Sequence, residues 1–285
     1  TCDWSSDVCS SDLGVRFNLS DNKSKIISYP FDGEFGNQGI YGYYNGKELG
    51  ELWGYTSVGL AQSDEEMKEW LTSNKPNWGS KWQAGDVKYK DLTGEGEVTP
   101  GASTLENHGD LKRIGNNSPR YRVGLNLDAA WKGIDFSIFF QGVLKRDWMF
   151  DAGDPYFWGA GSGMWQAACF EEHMDYWTPE NTDAYYPKPY FNETKNQQAQ
   201  DAYMQKASYL RCKNIQLGYT LPTHITEKAG ISNCRIYLSC DNLFTITGLS
   251  SVYDPEAFGS YDGYGTSGKT YPLQRTISVG VNLNF

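Results

Sequence analysis

The sequence predicts an all-β fold, a partial antiparallel transmembrane β-barrel with long extracellular loops, on three observations. Several segments of the 285-residue chain alternate between apolar residues and polar or small ones. The connections between these segments alternate between long and short. Aromatic residues make up 15% of the chain although its mean hydropathy is −0.60. Barrel strands produce this combination because lipid-facing and lumen-facing residues alternate along each strand.

The clearest strand lies at the end of the sequence. In residues 275–285, every second residue from Ile277 onward is apolar, and Thr, Ser, Gly or Asn occupies the positions between. This period of two predicts a β-strand with one apolar face. In a barrel that face meets lipid, whereas in a soluble sandwich the polar face meets water, so the alternation alone leaves both open.

Two hairpins precede the last strand. Residues 121–143 alternate on both sides of a tight turn at Lys132-Gly133, which predicts strands long enough to cross a bilayer. A second hairpin is predicted over residues 214–221 and 235–240, with a helical turn in its connector. Alternation is poor over residues 209–213, which indicates that the strand has risen above the lipid there. Further strands are predicted at residues 15–19 and 50–59.

The predicted connections are unequal. Those at residues 132–133 and 222–232 are short, whereas those at 60–119, 144–207 and 248–272 are long. Long structureless connections are uncommon in compact soluble domains. Outer-membrane barrels have short periplasmic turns and long outer loops, so the order long, short, long, short, long favours a barrel.

Composition excludes several classes of protein. Thirty-five acidic residues against 25 basic ones give a formal charge of −10, which argues against nucleic-acid binding. No apolar run reaches the roughly 18 residues that a transmembrane helix needs. The four cysteines beyond residue 13 form no CxxC pair, so unpaired, packed thiols are expected rather than a zinc site.

The first 13 residues are interpreted separately. Residues 3–13 (DWSSDVCSSDL) resemble the translation of a sequencing adaptor, so residues 1–13 are assigned as a sequence artefact. The alternative is a genuine Ser/Asp-rich segment. Leaving out Asp3, Asp7 and Asp12 changes the formal charge from −10 to −7.

Several motifs are similar to those of SusC/RagA-type TonB-linked outer-membrane proteins of Bacteroidetes. They are residues 207–222 (ASYLRCKNIQLGYTLP), 235–239 (RIYLS), 241–245 (DNLFT) and 253–256 (YDPE), with 85–92 (GDVKYKDL), 122–126 (RVGLN) and 140–142 (FQG) upstream. The resemblance implies that residues 14–285 are the C-terminal part of a TonB-dependent receptor β-barrel of about 22 strands. It implies localisation in the cell outer membrane. No plug or TonB box is found in this stretch, so a fragment of a longer protein is expected.

The same resemblance implies a function and partners. These are import of large nutrients, oligosaccharides or peptides, energised by the TonB complex acting on an N-terminal plug, with a SusD-like lipoprotein as lid. The end of the chain, with Val281, Leu283 and Phe285, resembles the signal read by the barrel-assembly machinery. No nucleic-acid partner is expected.

Aromatic residues crowd one long loop and suggest a substrate-binding surface. Trp148, Tyr156, Trp158 and Trp165 are the candidates, because flat rings stack on sugars and apolar side chains. Packing of these rings within the loop, or against the lid protein, is the alternative.

Residues 91–98 partly match a calcium loop. Asp91, Thr93 and Glu95 fall at ligand positions, but Ala102 stands where a bidentate acid is required. The missing ligand favours an acidic surface turn without calcium, and no other cofactor is expected. A further acidic group around His173 is interpreted as a solvated loop.

No nucleophile motif or nucleotide-binding glycine pattern occurs, so transport is predicted rather than catalysis. The rival hypothesis is a secreted carbohydrate-binding or hydrolytic β-sandwich. A sandwich requires the apolar faces of residues 121–143 and 275–285 to pack against each other.

Overall fold

The computed structural model describes residues 11–29, 39–162, 169–191, 193–257 and 271–285. The strands are β1 (Ser11–Ser20), β2 (Glu51–Gly54), β3 (Ser57–Leu60), β4 (Lys75–Pro76), β5 (Val87–Tyr89), β6 (Glu97–Val98), β7 (Lys112–Asn116), β8 (Arg120–Trp131), β9 (Ile134–Lys145), β10 (Asp147–Trp148), β11 (Gln205–Thr220), β12 (Asn233–Asp241), β13 (Thr245–Gly248) and β14 (Thr276–Asn284). The α-helices are α1 (Asp64–Trp70), α2 (Pro155–Trp158) and α3 (Thr223–Thr226), with 3₁₀ turns at Gly159–Ser162, Glu171–Met174 and Glu227–Ala229.

The main sheet is an antiparallel meander. Its long strands lie in the order β1-β8-β9-β11-β12-β14, and β10 and β13 also pair with β11. Because neighbours in the sheet follow one another in the chain, the three long connections all leave from one end and the two short ones from the other. The predicted all-β class, the antiparallel barrel strands and the alternating connections are confirmed. None of the helices in the described ranges has the length and apolarity needed to span a membrane.

The turn between β8 and β9 explains why so few residues join two 12-residue strands. Trp131 pairs with Ile134, and φ is positive at both intervening residues, 48° at Lys132 and 86° at Gly133. Two consecutive positive φ values are typical of a type I′ turn, whose twist matches that of the flanking strands.

The strand register joins the apolar alternate positions into one continuous band, the apolar belt. It consists of Leu13, Val15, Phe17 and Leu19 on β1; Val123, Leu125, Leu127, Ala129 and Trp131 on β8; Ile134, Phe136, Ile138 and Phe140 on β9; Ile215, Leu217 and Tyr219 on β11; Ile236 and Leu238 on β12; and Ile277, Val279, Val281 and Leu283 on β14.

The belt is exposed rather than packed against a second layer. Leu13 is 75% exposed, Leu238 48% and Val279 74%. The apolar faces of β8, β9 and β14 lie in the same sheet, with β11 and β12 between β9 and β14. The β-sandwich alternative, which requires these faces to pack against each other, is therefore wrong.

The long connections form what we call the loop layer, residues 21–29, 39–119, 146–162, 169–191, 193–204 and 242–257. All three contribute to one buried core, for example Tyr89 from the first, Phe157 from the second and Tyr253 from the third. Hydrogen bonds join the first two: Tyr55 N donates to Ala199 O at 2.8 Å, and Ser57 N donates to the Asp201 carboxylate at 2.9 Å. The long loops are thus a packed unit, not structureless segments.

Two strand predictions need correction. Residues 50–59 form two short strands, β2 and β3, which pair with β7 and β5 inside the loop layer and not with the main sheet. The first long connection therefore starts directly after β1, at Asp21. Strand β11 begins at Gln205, earlier than the alternation from Asn214 indicated. An extra residue, Lys213, is inserted between Cys212 and Asn214 opposite Phe140 and Phe139. This bulge breaks the alternation without ending the strand.

The short connector and the cysteines largely match expectation. A helical turn, α3, follows Pro222 as predicted. Cys212, Cys234 and Cys240 are buried free thiols, as predicted, but Cys169 is exposed. Residues 1–10 lie outside the described ranges, so the artefact assignment stays a prediction, and residues 11–13 belong to β1.

Candidate functional site

The face opposite the apolar belt carries polar side chains that bond between strands. Arg16 Nη2 lies 3.0 Å from Asp128 Oδ2 on the neighbouring strand. Asn214 Nδ2 donates to Asp241 Oδ1 at 2.7 Å. Asn, Ser, Thr and Gly fill most other positions of this polar face, which suits contact with water and polar solutes.

One ion pair on the polar face explains a glycine. Arg235 of β12 reaches across β11 to Asp135 of β9, with Arg235 Nε 2.9 Å from Asp135 Oδ2, and Arg235 Nη2 donates to Gln216 Oε1 at 3.0 Å. A Cβ at Gly218 would lie 2.3 Å from the Asp135 carboxylate and 2.5 Å from the guanidinium. Glycine at this position therefore leaves room for the ion pair to cross the strand.

The loop layer covers the polar face at the end of the sheet from which the long connections leave. Arg211 pairs with Gln141, so it shares the polar side of the sheet, yet it is buried, as are Gln205, Ala207 and Tyr209. Arg211 Nη2 lies 2.8 Å from Asp254 Oδ1, an ion pair that joins the motif of residues 207–222 to that of 253–256. The loop layer is thus fastened over the polar face at one end of the main sheet, which we call the wall.

The pKa of Asp254 is lowered, which favours the ionised carboxylate that pairs with Arg211. Burial acts to raise it, but the N–H of Glu256 and the Arg211 guanidinium favour the ionised form and hold the pKa below its ordinary value. Lys213 Nζ, from the bulge, lies 2.9 Å from Glu256 Oε2. These two cations and two acids form the junction between wall and loop layer.

Inside the loop layer, the motif of residues 85–92 holds a buried ion pair. Lys195 Nζ lies 2.9 Å from Asp86 Oδ2, and both side chains are almost completely buried. Lys195 also donates to the carbonyl oxygens of Ser80 and Lys81. The Asp86 carboxylate accepts from the Asn196 amide at 2.9 Å. The sequence showed the motif but not this partner, which lies 109 residues away.

The aromatic residues predicted to bind substrate lie mostly in the loop core. Trp148 and Trp158 are 8% and 6% exposed, and Tyr156 packs against the core half-buried. Trp165 lies outside the described residues. Burial of the two indoles means that their rings pack on protein here; a role for these four residues in binding substrate stays a prediction.

The group around His173 is only partly the solvated loop that the sequence suggested, because Glu171 and Asp175 are exposed but His173 is not. His173 is buried in the 3₁₀ turn Glu171–Met174, and its ring packs edge-to-face on Tyr186 at 5.3 Å. The Glu172 carboxylate accepts from the hydroxyls of Ser250 and Ser251, the latter at 3.2 Å. The turn is therefore part of the contact between the second and third long connections.

The turn at Asp91 is closed by its own backbone. The Asp91 carboxylate accepts from Thr93 Oγ1 at 3.0 Å and from the N–H groups of Gly94 and Gly96 at 2.7 and 2.6 Å. Burial acts to raise the pKa of Asp91, but these donors outweigh it and lower the pKa. No cluster of three acidic, His or Cys side chains suited to a metal occurs in the described residues. Calcium at Asp91, Thr93 and Glu95 is untested.

The predicted assembly signal lies on the last strand. Val281 and Leu283 belong to the exposed apolar belt, and Phe285 is 86% exposed just beyond β14. Their recognition by the barrel-assembly machinery stays a prediction.

Comparisons with known proteins place this geometry in context. No family model matches the chain. TonB-dependent receptor P3 of Formosa agariphila is 27% identical over 95% of the chain, and TonB-dependent receptor P26 of the same organism is 26% identical over 70%. The chain spans 26% and 20% of the length of these two relatives.

Solved structures show the same fold. The RagAB peptide transporter matches 97% of the chain and 27% of its own chain, with a TM-score of 0.67 and 22% identity. The RagAB peptide importer in its open-open state matches 98% of the chain and 27% of its own, with a TM-score of 0.64 and 21% identity. These matches confirm the resemblance to SusC/RagA-type TonB-linked outer-membrane proteins, the partial-barrel fold and the localisation in the outer membrane.

Proposed function

We propose that this chain supplies wall strands and outer loops to a transporter that imports large nutrients, oligosaccharides or peptides, across the outer membrane with energy from TonB. The observation that carries the proposal is the exposed apolar belt on one face of a six-strand meander, backed by a polar face. Such a sheet is stable where lipid covers the belt and water wets the other face. Transport rather than catalysis is the role, which agrees with the receptor relatives.

A SusD-like lipoprotein is the proposed lid, and the plug and TonB are the proposed source of energy. The three long connections support the lid, because they form one packed layer at a single end of the wall where a partner can dock. The barrel-assembly machinery is the proposed insertion partner, through the end of β14.

Growth and uptake in the native host test the proposal. Deletion of the gene is expected to abolish uptake of at least one labelled oligosaccharide or peptide, and deletion of TonB is expected to have the same effect. Membrane fractionation is expected to place the protein in the outer membrane. Uptake that persists at the wild-type rate without TonB would contradict the proposal.

A further inference from the structure

A partly open, mainly apolar cavity of about 280 Å³ lies within the loop layer. Its apolar lining includes Trp158, Tyr176, Tyr186, Pro187, Pro189 and Tyr190. Ligand pockets for whole small molecules span about 300–1,000 Å³, so this cavity accommodates a large side chain or a very short ligand and not a length of polymer.

The polar amides of the lining are already engaged with protein. Asn196 Oδ1 accepts from Val87 N at 3.0 Å, and its Nδ2 donates to Asp86. Gln197 Oε1 accepts from Gly153 N at 2.7 Å. The Tyr190 hydroxyl accepts from Gln83 Nε2 at 2.8 Å. These side chains therefore offer few additional partners to the hydroxyls of a sugar ring, whereas an apolar side chain needs none.

Two side chains of opposite charge and one hydrogen-bond donor in the lining are available to contact a ligand. Lys188 and Glu193 line the cavity partly exposed, and neither forms an ion pair with any residue in the described ranges. His173 is 5% exposed; its Nδ1 accepts from Phe170 N at 3.1 Å, which leaves Nε2 as the ring nitrogen that donates. This Nε2 donor is buried and has no partner among the described residues.

From this arrangement we propose that the cavity is a binding site for a short peptide with an apolar side chain. The side chain fills the cavity, the carboxylate lies against Lys188, the ammonium lies against Glu193, and a peptide carbonyl accepts from His173. The proposal rests on the proposed import function and selects peptides from its two substrate classes. Charge complementarity supports a dipolar ligand, and the size of the cavity supports one buried side chain.

Binding can be followed at Cys169, which is exposed and lines the cavity. The full-length protein in detergent is treated with iodoacetamide, and alkylation of Cys169 is timed by mass spectrometry. The tripeptide Ala-Leu-Ala is expected to slow alkylation. Ala-Ser-Ala is expected to bind at least about tenfold more weakly, because it lacks the apolar side chain. Maltohexaose is expected to have no effect. Protection by maltohexaose but not by Ala-Leu-Ala, or equal protection by both tripeptides, would overturn the proposal.

Variants test the assigned contacts by calorimetry. Cys169→Trp fills the cavity and is expected to abolish binding of Ala-Leu-Ala, whereas Cys169→Ser leaves it open and is expected to bind like wild type. Lys188→Met and Glu193→Gln are each expected to weaken binding by up to about fivefold. Unchanged affinity in both charge variants would refute the assigned contacts even if Cys169→Trp failed to fold. TonB-dependent uptake of glycans alone would leave the import function standing and reject the peptide site.

Discussion

Breaking the buried ion pair between Lys195 and Asp86 is expected to unfold the loop layer while leaving the wall intact. At 2.9 Å, and with an effective dielectric constant of roughly 20, the attraction between the two charges is about 6 kcal/mol. Desolvation of both ions offsets much of this in the intact pair. Lys195→Met removes the attraction but leaves the Asp86 carboxylate buried, so the expected loss of unfolding free energy is about 3–5 kcal/mol.

A matched control lies in the same layer. Lys112 Nζ is 3.0 Å from Asp201 Oδ2, but these side chains are 42% and 33% exposed, so Lys112→Met is expected to cost at most about 1 kcal/mol. The double variant Asp86→Asn/Lys195→Met is expected to cost less than the sum of the two single changes, because neither ion is then left alone.

Pulse proteolysis in urea measures these costs on the full-length protein in detergent. The fraction of uncleaved loop is read at each urea concentration, and mass spectrometry identifies the cut sites. Cuts in Lys195→Met are expected in the loop layer, within residues 60–119 or 146–204, at lower urea than in wild type. A loss below about 1 kcal/mol, or one equal to that of Lys112→Met, would refute the assignment of Lys195 and Asp86 as a buried pair.

Three further outcomes are expected. Gly218→Ala displaces the ion pair that crosses it and is expected to lower stability by about 1–3 kcal/mol in urea titrations, whereas Gly124→Ala, with 3.6 Å to its nearest neighbour, is expected to change it little. Leu238→Arg places a charge in the apolar belt and is expected to make folding into bilayers less favourable by about 2–4 kcal/mol. Ser239→Arg places the same charge on the polar face and serves as the control. Equal costs for the two variants would argue against a lipid-facing belt. Because the pKa of Asp91 is lowered on folding, its contribution to stability is present above the unfolded pKa of about 3.9 and is lost as the pH falls through the folded value. On acidification, proteolysis at the Asp91 turn is therefore expected to increase more in wild type than in Asp91→Asn. Excess calcium is expected to leave proteolysis of the wild type unchanged.

The wall was largely predictable from the sequence because its signals are local. A period of two assigns each residue to a face whatever its neighbouring strand, so Val279 and Leu238 could be placed on the apolar side without knowing that they pair. Unequal connection lengths likewise predicted which end carries the loops. The poor alternation before Asn214 was visible too, but its cause, the bulge at Lys213, required the register with β9.

The loop layer was not predictable in the same way, because its contacts join residues far apart in the chain. A tryptophan in a loop has the same local pattern whether it stacks on a ligand or, like Trp158, packs on Tyr203 at 5.0 Å. His173 sits among acids in sequence yet is buried in space.

The sequence by itself therefore determined the strand faces, the order of the connections and the resemblance to TonB-linked proteins, since each depends on residue type and spacing alone. Only the tertiary structure decided which charges pair, as with Arg211 and Asp254, and which aromatic rings are buried. Burial and ion pairing depend on distances in space, and chain folding sets these over separations that no local pattern encodes.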